Sequence, residues 1–322
     1  MSTLWAGRQR TPREPDSDRL ASLLRVPIVV GLVLSVSIAA LISACHGFLD
    51  LQVYRVGTEG WLRSGELYGV IRAVAGHTDL PFTYPPSAAV LMIPLALAPL
   101  WLAELMVTAS SLACLGVTVW LVLSRMRPDL TPRSRTTVAA AAAVGLLALE
   151  PVRITLWFGQ INLVLMAAVA LDCLAVTTRW PRGVLIGIAA VTKLTPAAFV
   201  LYFLIRKDWK AAGVAAATAA TIVLCGFVLY PRQSSQYWLH TIADTNRIGS
   251  PAYVGNQSLK GMVYRFGLSS SAATALWLGI GLVIAAVGAA LMHRLFAAER
   301  AAQEVARIPA SAFAVLALLE IG

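Results

Sequence analysis

The feature that most constrains this chain is a series of continuous apolar runs of about bilayer-spanning length, separated by short segments rich in arginine and lysine. Runs of this kind lie near residues 26–49, 101–123, 211–230 and 272–292. A backbone in hydrocarbon must satisfy its own N–H and C=O groups, which leaves helices or closed barrels. A barrel would show short segments of alternating polarity, and these runs are unbroken. Of the 322 residues, 58% are hydrophobic and 13% charged, against about 25% charged in soluble domains. The expected fold is therefore all-α, a polytopic membrane protein. The net charge of +10 does not point to nucleic acid. The basic residues cluster between spans, as the positive-inside rule requires, and no basic face with interleaved aromatics appears.

Taken in order, residues 1–25 hold five arginines against three acids, with Pro12 and Pro15, and read as a disordered cytoplasmic tail. Residues 26–322 read as one transmembrane domain. Val26–Leu49 would span outward, leaving 50–85 as a long outer loop, and 231–270 would form a second. Ser87–Leu100 is apolar but short and contains Pro94 and Pro99. It reads as a membrane-dipping or half-length element. The alternative, a thin-membrane span, would reverse every later crossing. Residues 137–149 then run outward, and 162–177 return. Gly183–Ile205 has Arg179 and Arg182 before it and Arg206, Lys207 and Lys210 after it. Pro196 removes a helix donor in its middle, so two half-helices with Lys193 at the break are expected. Residues 308–322 are apolar but too short to span, and the chain reads as C-terminally truncated.

Cys45, Cys114, Cys173 and Cys225 lie in or beside apolar runs and form no C-x-x-C pair, so they read as packing residues. His46, His77, His240 and His293 have no mutual ligand spacing. Neither a cofactor nor a bound metal is expected.

Phe48-Leu-Asp-Leu-Gln-Val-Tyr-Arg lies where the first apolar run gives way to polar sequence. A helix starting at Asp50 places Asp50, Tyr54, Gly57 and Trp61 on one face. Arg55, Glu59 and Arg63 fall on the other, at ion-pair spacing. One side solvates itself, while the other offers an acid, two aromatics and a glycine gap, which suits a sugar at a membrane surface. The plainer reading makes Asp50 an N-cap. Lys193, a charge inside an apolar run, is either a functional group or a lysine snorkelling to the interface.

Phe48–Arg55, Gly65-Glu-Leu-Tyr68, Thr83-Tyr-Pro-Pro86, Gly159-Gln-Ile-Asn162, Lys193-Leu-Thr-Pro196 and Asn256-Gln-Ser-Leu259 follow one another in this order. Together they resemble the GT-C-fold, polyprenol-phosphate-mannose-dependent α-(1→2) mannosyltransferases of glycosyltransferase family 87, which include actinobacterial phosphatidylinositol mannoside enzymes. The resemblance implies a GT-C-like helical bundle with short amphipathic helices on its outer loops. It implies inverting transfer of mannose from a polyprenyl-phosphate donor to a glycolipid acceptor, a phosphatidylinositol mannoside or lipoglycan, on the outer face of the plasma membrane. Asp50 then takes the place of the catalytic aspartate, as general base, and Lys193 neutralises the leaving phosphate, with Arg153 and Lys260 as weaker candidates. The substrate-binding candidates are Tyr54, Arg55, Tyr84, Gln160, Asn162, Lys193, Asn256, Gln257 and Lys260. For Tyr54, Trp61, Tyr84 and Trp157 the competing reading is an interfacial aromatic belt; for the amides it is helix capping. A transporter or flippase of lipid-linked sugars, or a truncated inactive paralogue, are the rival readings of the whole chain.

Overall fold

The computed structural model describes residues 47–71, 80–243 and 250–301, together with residues 30, 31, 33, 34, 37, 38, 40–42, 44 and 45. The expected tail over 1–25, His46, His77 and the short run at 308–322 lie outside the described residues. All described residues between 30 and 45 are helical, and this helix is called α1. Gly47 and Phe48, at φ 75° and 50°, turn the chain sharply through left-handed conformations into α2 (Leu49–Ser64), which ends at a left-handed Gly65. A two-residue hairpin, β1 (Val70–Ile71) with β2 (Leu80–Pro81), follows. Among the described residues it is the sole departure from an all-α chain.

α3 (Pro86–Leu97) has proline at its first turn, where a missing N–H costs nothing, and Pro94 inside. Its 12 residues reach only about 18 Å, well short of a roughly 30 Å hydrocarbon core. This is the half-length element expected from its prolines. Pro99 then opens α4 (Leu100–Met126). α5 (Pro132–Leu146) and α6 (Glu150–Phe158) meet at a 78° bend. α7 (Asn162–Leu174) is also short, at 13 residues.

The doubly basic-flanked stretch breaks as the proline predicts. α8 (Val184–Thr192) stops at Lys193, whose backbone is extended at φ −145°, ψ 137°. A 3₁₀ turn, Thr195–Phe199, carries Pro196 and leads into α9 (Val200–Arg206). α10 (Trp209–Leu229) packs tightly along α8. A Cβ on Gly187 would stand 2.7 Å from the Ala215 carbonyl oxygen. Small residues at such a crossing let backbones approach closely in a membrane, where dispersion contacts drive helix association. α11 (Pro231–Leu239), α12 (Leu259–Tyr264) and α13 (Ser270–Ala301) complete the described residues.

Among the described residues, three helices, within α4, α10 and α13, are long and apolar enough to cross a membrane, or four if the bent α5–α6 pair is one span. The molecule is an all-α polytopic membrane protein. Its buried side chains form three clusters. One joins α7 to α10 and α13 through Val169, Cys173, Ile186, Phe199 and Met292. A second joins α2, α3 and α11 through Tyr54, Tyr68, Phe82, Met92 and Tyr237. The third joins α1, α2, α4 and α7 through Ile42, Phe48, Leu51, Val107 and Leu163. Asp50 lies one residue before Leu51 of the third cluster and four before Tyr54 of the second, so its helix is anchored in both cores.

The α7–α8 connection contains a group that composition alone did not single out. Asp172 is fully buried and accepts from Trp180 Nε1 at 3.0 Å, Gly183 N at 3.0 Å and Ile186 N at 2.9 Å. It thereby satisfies N–H groups at the start of α8 that have no intrahelical partner. Arg182 reciprocates on the end of α7, donating to the Asp172 carbonyl at 2.8 Å and to the carbonyls of Ala175 and Val176.

Candidate functional site

α2 carries the arrangement its spacing predicts. Asp50, Tyr54 and Gly57 face inward, and Arg55–Glu59 and Glu59–Arg63 pair at 3.8 and 3.5 Å on the opposite face. Asp50 does not cap. The helix begins one residue earlier with Phe48 as N-cap, and the Asp50 carboxylate turns to another element. Gln160 Nε2 donates to Asp50 Oδ2. Asn162 Nδ2 donates to Gln160 Oε1 at 2.8 Å, and Lys193 Nζ donates to Asn162 Oδ1 at 2.8 Å. Four residues from α2, the α6–α7 corner and the α8 break thus form one hydrogen-bonded chain running from ammonium to carboxylate.

Gly159 makes this chain possible. It adopts φ +67°, and a Cβ there would stand 2.9 Å from both Leu51 Cβ and Phe48 Cδ1. The corner therefore seats directly on the first turn of α2 and delivers the next residue, Gln160, to Asp50.

α2 is not among the candidate spans. Burial raises the Asp50 pKa above the ordinary carboxylate value, opposed by the Gln160 hydrogen bond and by the Lys193 charge. Desolvation disfavours the charged form, and the two partners return only part of that cost. Burial and the neighbouring Asp50 push Tyr84 up to about 12, and burial holds Tyr54 well above the usual phenol value. Both phenols are thus neutral at physiological pH. Their hydroxyls meet at 3.0 Å and their rings pack edge to face at 5.2 Å. Tyr68 donates to the Tyr84 carbonyl at 2.9 Å and stacks on Tyr237 at 5.8 Å. Tyr68 ends the Gly65–Tyr68 motif, and its place there carries no sign of a role. An aromatic three residues beyond a helix-ending glycine does not reveal its partner on α11.

Several side chains that suit substrate contact by type are occupied within the protein. Tyr54 is only 1% exposed, so its ring meets Tyr84 and not solvent. The gap at Gly57 is filled by Phe82, whose Cδ2 would stand 2.7 Å from an added Cβ. Trp61 packs edge-on against Tyr230 at 5.6 Å. Arg55 donates to the Leu95 and Ala98 carbonyls, the latter at 2.6 Å, capping the end of α3. Arg153 lies over Trp157 at 5.1 Å. Among the described residues, the side-chain hydrogen bonds of Asn256 and Gln257 stay within 251–258. Lys260 lies over the Tyr264 and Trp277 rings at 5.7 and 5.2 Å. These last three residues are not joined by any described contact to the Asp50 chain. No group of three or more histidine, cysteine or acidic side chains able to hold a metal occurs among the described residues.

The geometry can do three things chemically. It presents a partly buried carboxylate, a nearby ammonium and two neutral phenols within one half-buried region. That set can accept a proton, balance a departing anion and hydrogen-bond hydroxyls.

Residues 82–319 match Glycosyltransferase family 87. The chain is 41% identical over 266 residues to a "Polyprenol-phosphate-mannose-dependent alpha-(1-2)-phosphatidylinositol mannoside mannosyltransferase" of Mycolicibacterium smegmatis, covering 79% of this chain and 59% of that protein. It is 38% identical over 265 residues to the protein of the same description from Mycobacterium tuberculosis, covering 78% and 61%. A "Polyprenol-phosphate-mannose-dependent alpha-(1-2)-phosphatidylinositol pentamannoside mannosyltransferase" of Mycolicibacterium smegmatis is 34% identical over 285 residues, covering 88% and 68%. The chain spans about three fifths of the length of the first two relatives. No solved structure matches.

Proposed function

The chain belongs to glycosyltransferase family 87, and on that premise we propose that it is a membrane mannosyltransferase. It moves mannose from polyprenyl-phosphate-mannose to a glycolipid acceptor, a phosphatidylinositol mannoside or a lipoglycan. The relatives' descriptions support the donor and the acceptor class. The one observation that carries the reading is the hydrogen-bonded chain linking Asp50 to Lys193 across three elements.

In this reading the acceptor hydroxyl oxygen attacks the anomeric carbon of the donor from the face opposite the phosphate. The new C–O bond forms as the bond to the phosphate oxygen breaks, and the phosphate leaves with the electron pair. The hydroxyl proton passes to Asp50, and the configuration inverts. A base whose pKa is raised above that of a free aspartate is better matched to this task. The Lys193 ammonium faces the negative charge that grows on the departing phosphate. Tyr84, half-buried and neutral, hydrogen-bonds sugar hydroxyls, and the fully buried Tyr54 holds it in place. Arg55 belongs to the scaffold. The site faces the extracytoplasmic side of the plasma membrane, with residues 50–85 and 231–270 outside and Arg125, Arg127, Arg182 and Arg206 inside, as the placement of basic residues favours.

The test is transfer of radiolabelled mannose from polyprenyl-phosphate-mannose to phosphatidylinositol mannosides in membranes containing the chain. A new α-(1→2)-linked glycolipid is expected, lost in Asp50→Asn. Movement of the labelled lipid across the membrane without transfer would replace this reading with a transporter.

A further inference from the structure

The amides of Gln160 and Asn162 suit sugar hydroxyls by type, yet the structure uses them between two charged groups. The chemistry of those two groups fixes the direction of the chain. An ammonium can only donate, so Asn162 must turn Oδ1 to Lys193. Its Nδ2 then points to Gln160, which must answer with Oε1. That leaves Gln160 Nε2 for the carboxylate, which in its ionised form can only accept. Neither amide can be reversed without setting donor against donor or acceptor against acceptor. The backbone reinforces this. Gly159 seats the corner on α2, and both amides belong to the first residues after it.

We propose that Gln160 and Asn162 are positioning residues of the transfer reaction, forming a directional amide relay that holds Oδ2 of Asp50 and couples that carboxylate to Lys193. The proposal rests on the reading of Asp50 as the base. The relay engages Oδ2, so Oδ1 is the oxygen offered to the acceptor hydroxyl, and the carboxylate plane is set before substrate arrives. Such preorganisation is what a base needs, because misplacement by about 1 Å can cost on the order of 10²-fold in rate. The relay also favours the ionised base, through one charge-assisted hydrogen bond and through the Lys193 charge behind it. The ionisable groups that act on Asp50 or feel it are Lys193 at the α8 break, Tyr54 on its own helix and Tyr84 before α3. α3 has no ionisable side chain. Glu104, Cys114 and Arg125 of α4, and Glu150 and Arg153 of α6, are not among the influences on its carboxyl.

The full chain is to be purified in detergent as wild type, Gln160→Ala, Asn162→Asp and Asp50→Asn. The carboxyl titration of Asp50 is read by infrared difference against Asp50→Asn, which needs no turnover. Transfer is read as a pH profile of kcat/KM. Gln160→Ala removes a donor to the ionised form, so the titration and the acid limb should both move to higher pH. Its kcat should fall about 10–100-fold with donor KM nearly unchanged, as for a misoriented base. Asn162→Asp keeps an oxygen for Lys193 but cannot donate to Gln160, and it should shift in the same direction. A raised KM with an unmoved titration would overturn the relay in favour of direct sugar contact. Activity per folded molecule and a titration both equal to wild type would overturn it in favour of a purely structural corner. If Asp50→Asn is inactive while Gln160→Ala leaves the titration unmoved, the relay fails and the base reading stands. If Asp50→Asn keeps full turnover, the base reading itself fails.

Discussion

Gly159→Ala is the change that best tests whether the corner, and not merely the residues on it, builds the site. Two costs add. The backbone at φ +67° lies in the left-handed region, which costs a residue with a Cβ about 1–2 kcal/mol. The new methyl would also stand 2.9 Å from Leu51 Cβ and Phe48 Cδ1, whereas carbons pack at about 3.5–4.0 Å. Relief by rotation is closed off. Leu51 and Phe48 are both fully buried, and a Cβ has no rotamer to change. The corner must therefore retreat by roughly 0.6–1 Å. Overpacking of this kind costs about 1–3 kcal/mol, so the total destabilisation is about 2–5 kcal/mol. The retreat carries Gln160 away from Asp50, and turnover per folded molecule should fall on the order of 10²-fold. Thermal unfolding in detergent reads the first quantity and mannosyl transfer the second. Gly213→Ala is the control, because a Cβ there, in the second turn of α10, meets nothing within 4 Å. It should be neutral or stabilising by about 0.5–1 kcal/mol. A Gly159→Ala protein with wild-type unfolding and wild-type turnover would refute the argument that close approach at this corner sets the site.

Other expectations follow from the same geometry. Lys193→Ala should weaken donor use and turnover while Lys193→Arg retains part of both, measured as kcat and donor KM; normal kinetics in the alanine variant would remove Lys193 from the reaction. Because burial raises the Asp50 pKa, the acid limb of activity should lie above the range of a free aspartate. The native state also holds the Asp50 proton more tightly than the unfolded chain, so this group's contribution to stability is fully present below the unfolded pKa and is lost as pH rises through the folded one. Unfolding scans of wild type against Asp50→Asn across that window would show it. Asp172→Ala strands three donors in a buried site and should lower stability by about 3 kcal/mol or more, while Asp172→Asn, which keeps one acceptor, should lose less; equal unfolding of all three proteins would count against this. For orientation, an impermeant thiol reagent on intact cells should label Glu66→Cys and leave Asp129→Cys unlabelled until the cells are opened, and the opposite pattern would invert the topology.

Much of the fold was legible because its causes are local. Apolar runs of spanning length gave α4 and α10 to within a few residues and the start of α13, which continues nine residues past the run, and Pro196 between basic flanks gave the break at Lys193. The α2 pattern gave both faces of that helix, including its ion pairs. The site was legible as a set of residue types but not as a set of partners. A glycine and two aromatics opposite charges look like a ligand surface, yet Phe82 fills the gap and Tyr84 meets Tyr54. Arg55 looked available because nothing in sequence shows that the end of α3 lies beside it. The link from Gln160 to Asp50 crosses 110 residues, and no periodicity reaches that far. Asp172 was the more readable omission. An acid inside an apolar run is a flag by itself, and only its role as a cap for α8 needed the structure.

That span of 110 residues has a consequence for biosynthesis. A ribosome adds about 5–20 residues per second, so Asp50 is made roughly 5–20 s before Gln160. The hydrogen bond from Ser87 to the Val191 carbonyl reaches over 104 residues, and that from Gln233 to the Gly65 carbonyl over 168. During that interval the carboxylate has no Gln160, and the slot over Leu51 that Gly159 will occupy stands open. The nascent acid must wait in water or against the insertion machinery, because an unpaired charge is not stable in hydrocarbon. The site is thus closed when residues 159–193 fold back onto α2. Substitutions at Gly159, Gln160 or Lys193 should leave the insertion of everything up to α4 untouched and act only on the final compaction.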